Sequence, residues 1–444
     1  MRASPEPASA RFWVETLGCP KNAVDSDKVV ASLLADGLVR AAQPGDADLV
    51  VVNTCAFIDA ARRESIDTVL ALADERKPGA RLVVTGCLAE RAGDELAVAL
   101  PEVDAVVGFS GEGQLADVAF TPGRKPTGVR DLLELPRAAP SVPWAYVKIA
   151  EGCDRACAFC AIPSFRGKQR SRTPDAILTE ARSLVTGGVA ELVLVAQDLA
   201  WYGRDAGAPG ALTPLLRRLD RELGPLGLRR IRLLYLYPSE VHDPLVAAML
   251  ELPTVVPYFD LSLQHASAQL LRAMKRWGSG DRFLTTIGDI RAHAPEAVFR
   301  SSFIVGFPGE TEDDHDELLR FLDAAQLEWA GFFPFSREEG TPAAALDPVP
   351  DLLVGEWLRE CEEVQAPITQ GARDALVRAG ADVDVLVDTN ADGDAIGRTH
   401  REAPEIDGVV RLPGAHARAG GLVRAKVVGA VGPDLVAEPI ELLA

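Results

Sequence analysis

No stretch of the 444 residues approaches the ~18 consecutive apolar residues that a membrane span needs. The opening from Met1 to Ala10 is polar, carries Pro5 and Pro7, and lacks the apolar centre of a secretion signal. Positive charge is also short, with 46 Lys+Arg against 65 Asp+Glu and a formal charge of −19. A field of that sign repels polyanions and attracts basic proteins, so general nucleic-acid binding is not expected. Internal repeats and low-complexity tracts are absent. These absences point to a cytoplasmic, globular protein with no membrane partner. What is present is cysteine: seven in all, an odd number. In a chain with no sign of export, metal or redox chemistry is a better expectation than disulfides.

The length suits about three domains of roughly 150 residues each. In the first third, Arg11–Thr16, Leu49–Asn53, Arg81–Thr85 and Asp104–Gly108 have the Val- and Leu-rich character of strands. Amphipathic stretches at Val24–Asp36, Ala60–Glu75 and Ala89–Leu100 alternate with them, which predicts an open parallel α/β sheet over residues 10–120. A Pro- and Gly-bearing stretch, 121–143, has the composition of a linker. Over 144–377 six further strand–helix repeats, beginning with the strands Tyr146–Ala150 and Leu192–Ala196, predict a full or partial (β/α) TIM-type barrel. A closing helix spans Val354–Leu376, with a kink at Pro367 and a stop at Gly380. The remainder, 378–444, has short strands between Gly-, Asp- and Pro-bearing turns, which suits a small all-β barrel of OB-like size. The fold class is α/β with that all-β addition.

Cys153, Cys157 and Cys160 sit in EGCDRACAFCAIP, directly after the first barrel strand. Three thiolates can hold three irons of a 4Fe-4S cube and leave the fourth iron open to a chelating substrate. A structural zinc site would want a fourth Cys or His nearby, and none of the six histidines lies between Cys153 and Ser171. The position also favours chemistry, since barrel enzymes keep their reactive groups at the carboxyl ends of the strands.

Cys19, Cys55 and Cys87 are 36 and 32 residues apart, yet each lies just past the end of a predicted strand. In an open parallel sheet ligand sites gather at those ends, so strand topology can bring the three to one object. A second iron–sulfur cluster, again with one iron free, is the simplest such object. Three separately buried apolar cysteines are the alternative.

These motifs together resemble the methylthiotransferase family of radical S-adenosylmethionine enzymes, on the branch that modifies ribosomal protein S-twelve. The resemblance covers essentially the whole chain. It rests most on CPKNAVDSD at Cys19–Asp27, NTCAFIDAARRESID at Asn53–Asp67 and GCDRACAFCAIPSFRG at Gly152–Gly167. Further support comes from AQDLAWYG (Ala196–Gly203), SLQHAS (Ser262–Ser267), GFPGET (Gly306–Thr311) and the tail piece APEIDG (Ala403–Gly408). Ala23 and Asp27 replace commoner Leu and Glu, and Trp277 a commoner Pro; none is a proposed ligand. The resemblance implies two 4Fe-4S clusters and S-adenosyl-L-methionine in two roles, methyl donor and source of a 5′-deoxyadenosyl radical. It implies methylthiolation of the β-carbon of an aspartate in ribosomal protein S-twelve, free or in the small subunit, a C-terminal TRAM domain, and an electron donor such as a flavodoxin-type protein.

Gln197 and Asp198 follow the second barrel strand, and Gln264 and His265 the fourth, so all four are placed at the barrel mouth. They are candidates to line the S-adenosylmethionine site, with loop-holding hydrogen bonds as the alternative. Gly306 and Gly309 follow the fifth strand, where Gly suits either close approach to a ligand or a tight turn before a helix capped at Thr311. Lys21 and Asn22 shape the loop at Cys19 and are assigned no chemistry. Cys361 lies on a polar helix and is assigned no role. A sister enzyme acting on an adenosine of transfer RNA is the rival. Segment 381–444, however, has 11 acidic against 6 basic side chains and no Phe, Tyr or Trp. An acidic barrel without stacking platforms suits a basic protein better than RNA.

Overall fold

The first strand, β1 (Arg11–Thr16), runs into α1 (Pro20–Ala35) and a two-residue strand, β2 (Val39–Arg40). Then come β3 (Leu49–Thr54), α2 (Asp59–Glu75), β4 (Arg81–Gly86), α3 (Cys87–Ala99), β5 (Ala105–Val106) and α4 (Leu115–Phe120). The strands form one parallel sheet in the order β2-β1-β3-β4-β5. Leu49 to Val52 are all fully buried, as a parallel strand covered on both faces requires. Alternation divides them: Val50, Val52, Leu82 and Val84 face one core, while Leu49, Val51 and Val83 face the other. The computed structural model describes residues 10–121, 131–391 and 393–443. The opening residues 1–9 and residues 122–130 of the expected linker lie outside the described residues.

The chain divides into two compact units. The first runs to Ala139 and takes in Glu151–Asp154 and Ala161–Gln169; the second is the rest. Within the first unit, residues 131–139 do not hang free as a linker would. Leu132 and Leu133 are buried, the Leu133 carbonyl accepts from Lys28 Nζ at 2.6 Å, and Arg137 pairs with Asp27.

The later elements are β6 (Trp144–Lys148), β7 (Ala150–Glu151), α5 (Ile162–Arg166), β8 (Arg170–Ser171), α6 (Pro174–Thr186), β9 (Glu191–Val195), α7 (Leu212–Leu223), β10 (Arg230–Leu236) and α8 (Asp243–Glu251). They continue through β11 (Val255–Gln264), α9 (Ala268–Ala273), α10 (Gly280–His293), β12 (Val298–Val305), α11 (Glu312–Ala325), β13 (Trp329–Pro334) and α12 (Asp351–Ala379). Strands β6-β9-β10-β11-β12-β13 pair in that order, all parallel, in an open six-stranded sheet. The partial form of the expected barrel is therefore the one adopted. Helix α12 contains Pro367 and ends at Gly380 in the left-handed region, φ +52°.

Five strands complete the chain: β14 (Asp382–Ala391), β15 (Asp394–Arg398), β16 (Val410–Leu412), β17 (Leu422–Val431) and β18 (Asp434–Leu443). They close a barrel, β14-β15-β16-β18-β17, around Val385, Val387, Val410, Leu412 and Leu435. The connection after β15 lies against the N-terminal ends of the six-stranded sheet. Fully buried Glu191, the first residue of β9, accepts from Arg232 Nε and Arg398 Nη1, both at 2.8 Å. Arg230 donates to the carbonyls of Arg398 and Asp384, and Tyr258 Oη to Asp407 at 2.6 Å. The APEIDG piece is thus a docking element: Asp407 also takes the Ala403 N–H at 2.8 Å, and Tyr146 Oη donates to the Pro404 carbonyl.

Candidate functional site

Three cysteines converge at the carboxyl end of the first sheet. Its strand order reverses direction between β1 and β3, and such a switch point opens a crevice for ligands. Cys19 follows β1, Cys55 follows β3 and Cys87 follows β4. Helix α1 begins at Pro20, four residues earlier than its apolar periodicity suggests, because Pro at the first helical position has the right φ and no N–H to lose. Lys21 and Asn22 are therefore buried in its first turn rather than in a loop, and Cys19 is its N-cap. Cys87 is likewise the first residue of α3. Cys19 thus sits where helix N–H groups and the positive dipole end favour a thiolate.

Neighbouring side chains fix these positions. Asn22 donates to the carbonyls of Leu17 (2.9 Å) and Thr54 (3.1 Å), tying together the ends of β1 and β3. Asn53 donates to the Asn22 carbonyl at 2.9 Å, and Ser65 Oγ takes the Cys55 N–H at 3.0 Å. Gly18 has φ +89°, and a Cβ there would stand 2.7 Å from Cys55 Cβ and 2.8 Å from its sulfur. Gly86, at φ +90°, is tighter still: its Cβ would lie 2.2–2.7 Å from Asn53 Oδ1 and the Thr54 backbone. Gly79 has nearly the same φ, +85°, but open space around it. Gly86→Ala is therefore expected to lower unfolding stability by more than ~1 kcal/mol in urea denaturation, and by more than Gly79→Ala, which pays only the backbone strain. Equal losses would remove the close approach from the account.

The electrostatics of the three differ. Burial opposes ionisation of Cys19, but Lys21, Arg166 and the N–H groups of Asn22 and Lys21 outweigh it and hold the thiol below its ordinary value. Burial raises Cys55 and pushes Cys87 up to about 12 against the pull of Arg166. Cys55 feels the charge of Cys19, and Cys87 feels that of both Cys19 and Cys55. Arg166, six residues beyond Cys160, is the contact that the sequence did not disclose: its Nη2 lies 3.0 Å and its Nε 3.3 Å from Cys87 Sγ. Among the described residues, no three or more His, Cys, Asp or Glu side chains are arranged to hold a single metal ion. Ligands of a cube each take a different iron and so stand farther apart than ligands sharing one ion.

The loop after β6 carries the CxxxCxxC cysteines, all partly exposed. In the first unit, Cys153 N–H donates to the Gly167 carbonyl at 3.1 Å. In the second, Cys160 N–H closes a turn on the Cys157 carbonyl at 3.3 Å, and Ala158 bonds to Met274 and Ala343. Arg276 Nη1 lies 3.5 Å from Cys157 Sγ, while the same side chain donates to the Ser262 carbonyl and covers the Tyr237 ring at 4.1 Å.

Of the expected mouth residues, Asp198 is buried and accepts from Arg155 Nε at 2.8 Å; burial raises its carboxyl despite that partner. Arg155 also bonds Glu240 and lies 3.8–3.9 Å from the rings of Tyr237 and Trp201. Gln197 precedes Asp198 at the end of β9, and Gln264 ends β11 with φ +74°, a strained conformation for a residue with a side chain. His265 is fully buried: its Nε2 is 3.2 Å from Glu310, and its Nδ1 accepts the Ser267 N–H. Glu310 also takes the N–H groups of Gly306 and Phe307. A Cβ on Gly306 would meet Val354 at 2.4 Å, so this glycine makes room for α12. Gly309 has open space beside it, and Thr311 caps α11 in a reciprocal pair with Asp314. Cys361 is buried in the second unit's core, and its thiol is pushed up to about 12 by burial.

Family models match three stretches: the uncharacterized protein family UPF0004 over residues 11–108, the radical SAM superfamily over 147–322, and the TRAM domain over 379–440. The ribosomal protein uS12 methylthiotransferase RimO of Saccharopolyspora erythraea is 42% identical, over 98% of this chain and 96% of its own length. The protein of the same name from Frankia casuarinae is 43% identical over 98% and 93%. Among solved structures, the radical S-adenosylmethionine methyltransferase TsrM from Kitasatospora setae, with cobalamin and a [4Fe-4S] cluster bound, matches 76% of this chain and 74% of its own. The TM-score is 0.56 at 13% identity, a likeness of fold alone.

Proposed function

We infer the function from the premise that this chain belongs to the RimO family of ribosomal protein uS12 methylthiotransferases: it transfers a methylthio group to the β-carbon of an aspartate in uS12. The observation that carries the reading is the meeting of Cys19, Cys55 and Cys87 at one sheet end, in a chain that also holds a CxxxCxxC loop. Cys153, Cys157 and Cys160 would hold one 4Fe-4S cluster and the trio a second, each with an iron left open. Thiols, helix N-termini and arginines donating toward sulfur suit such a group. Together with S-adenosyl-L-methionine, these clusters supply the one-electron chemistry that an unactivated C–H bond demands and that side-chain acid–base catalysis cannot reach.

The protein's own part is positioning. The Cys157–Cys160 turn is pinned by Ala158 on two sides, and Arg276 reaches the Cys157 sulfur. Asp198, Gln197 and Gln264 stand at the carboxyl ends of strands, where S-adenosylmethionine would lie; His265, Glu310 and Gly306 hold the loops behind them. An electron donor such as a flavodoxin-type protein would supply the reducing electrons, and a ribosomal substrate supports a reaction in the cytoplasm.

The terminal barrel supports a protein substrate over RNA. Arg398, Glu402 and Asp407 are taken up by internal ion pairs, so the raw charge count overstates what a partner meets. Among the described residues, exposed Asp382, Asp394, Glu405, Glu438 and Glu441 still outnumber exposed Arg411, Arg418 and Lys426, and Arg424 is paired with Asp384. Such a surface suits a basic ribosomal protein. The test offers the reduced, reconstituted enzyme a peptide of the uS12 target loop together with transfer RNA. Mass spectrometry should find the methylthio group on the peptide; gain on the RNA alone would overturn the reading.

A further inference from the structure

Arg166 is almost wholly enclosed, its side chain 3% exposed, and its donors are turned toward the cysteine trio. Nη2 and Nε meet Cys87 Sγ at 3.0 and 3.3 Å, and Nη2 also meets Asn22 Oδ1 at 2.7 Å. Nη1 bonds Glu151 Oε1 at 2.8 Å, Asp25 Oδ2 stands 3.4 Å away, and the Phe109 ring backs the guanidinium at 4.8 Å. Two carboxylates and an aromatic face therefore hold the planar fork so that one edge addresses sulfur. Arginine is the residue for this work: it stays charged, and its rigid donors can serve an amide oxygen and a sulfur together.

We propose that Arg166 is a positioning residue for the cluster of the N-terminal trio, and that its hydrogen bonds to the Cys87 sulfur set that cluster's reduction potential. The proposal rests on the assignment of a cluster to Cys19, Cys55 and Cys87 made above. Hydrogen bonds to a ligating sulfur stabilise the negative charge gained on reduction, so they raise the potential. Buried charge acts in a medium of low dielectric, which enlarges the effect. Asp25 works in the opposite sense, since its carboxylate tempers the guanidinium that faces the sulfur.

The experiment uses the full chain with Cys153, Cys157 and Cys160 changed to Ala, reconstituted with iron and sulfide so that only the trio's cluster reports. Dithionite supplies one electron per cluster in a titration followed by electron paramagnetic resonance. Arg166→Gln should make the one-electron reduction at least tenfold less favourable, a midpoint about 59 mV more negative. Arg166→Lys, which keeps the charge but not the fork, should recover only part of that shift, and Asp25→Asn should move the midpoint the other way. An unchanged midpoint in Arg166→Gln and Asp25→Asn alike overturns the proposal. Asp25→Asn also decides the matter if the Gln variant does not fold, since a shift in the wrong direction, or none, counts against it. A parent protein that takes up no iron on the trio would instead sink the cluster assignment beneath it, and the iron analysis tells the two failures apart.

Discussion

Replacing Cys19, Cys55 and Cys87 together with alanine should abolish methylthio transfer while 5′-deoxyadenosine is still formed from S-adenosylmethionine. The trio belongs to the first sheet, whereas the CxxxCxxC loop follows β6 and is supported by Met274, Ala343 and Arg276. Removing the trio deletes no hydrogen bond of the Cys157–Cys160 turn. Methylthio product should fall by more than ~100-fold, beyond what outer partners of a metal site typically cost, and bound iron should fall by about half. Cys157→Ala should remove both products. Loss of 5′-deoxyadenosine in the trio variant, with the fold intact, would mean that the two cysteine sets do not divide the chemistry as proposed.

The second large effect lies in the fold. Glu191 has no exposed surface and holds Arg232 and Arg398, themselves buried, at 2.8 Å each; Arg398 carries a further pair to Asp388 at 2.7 Å. Glu191→Gln keeps the shape but leaves the interior Arg232 without its carboxylate and Arg398 with Asp388 alone, so unfolding in urea should show a loss of about 3–5 kcal/mol. Burial opposes the charged form, but Arg398, Arg232 and Arg230 hold the Glu191 carboxyl down at about 2. Its folded value lies below its unfolded one. The stability it contributes is therefore complete above about pH 4.5 and fades as pH falls toward 2. The Gln variant should lose this part of the acid dependence; an identical acid profile in both proteins would contradict the assignment.

The large features were legible because each is written locally. The CxxxCxxC spacing is contiguous, and the Val-rich runs at Leu49 and Arg81 mark central parallel strands whatever surrounds them. Cys19, Cys55 and Cys87 could be grouped because a parallel sheet aligns strand ends that the sequence keeps far apart. Short elements escaped. Val39–Arg40 and Asp394–Arg398 are strands by their pairing, not by their composition. Helix α1 began earlier than its periodicity suggested, although Pro20 was the signal for its start. The supporting residues were the hardest. Arg166 meets Asn22 across 144 positions and Cys87 across 79, and nothing in SFRG distinguishes an arginine aimed at sulfur from one at the surface. Gly306 is open to two uses in the sequence, and the neighbouring Val354 together with a φ of +80° accounts for the missing side chain.

The most direct measurement uses a uS12 loop peptide whose target aspartate carries deuterium at the β-carbon, incubated anaerobically with the reduced enzyme and S-adenosylmethionine. The account predicts deuterium in the 5′-deoxyadenosine released and a methylthio group on that same aspartate. Methylthiolation without deuterium transfer, or deuterium transfer with the sulfur delivered to transfer RNA, would contradict it.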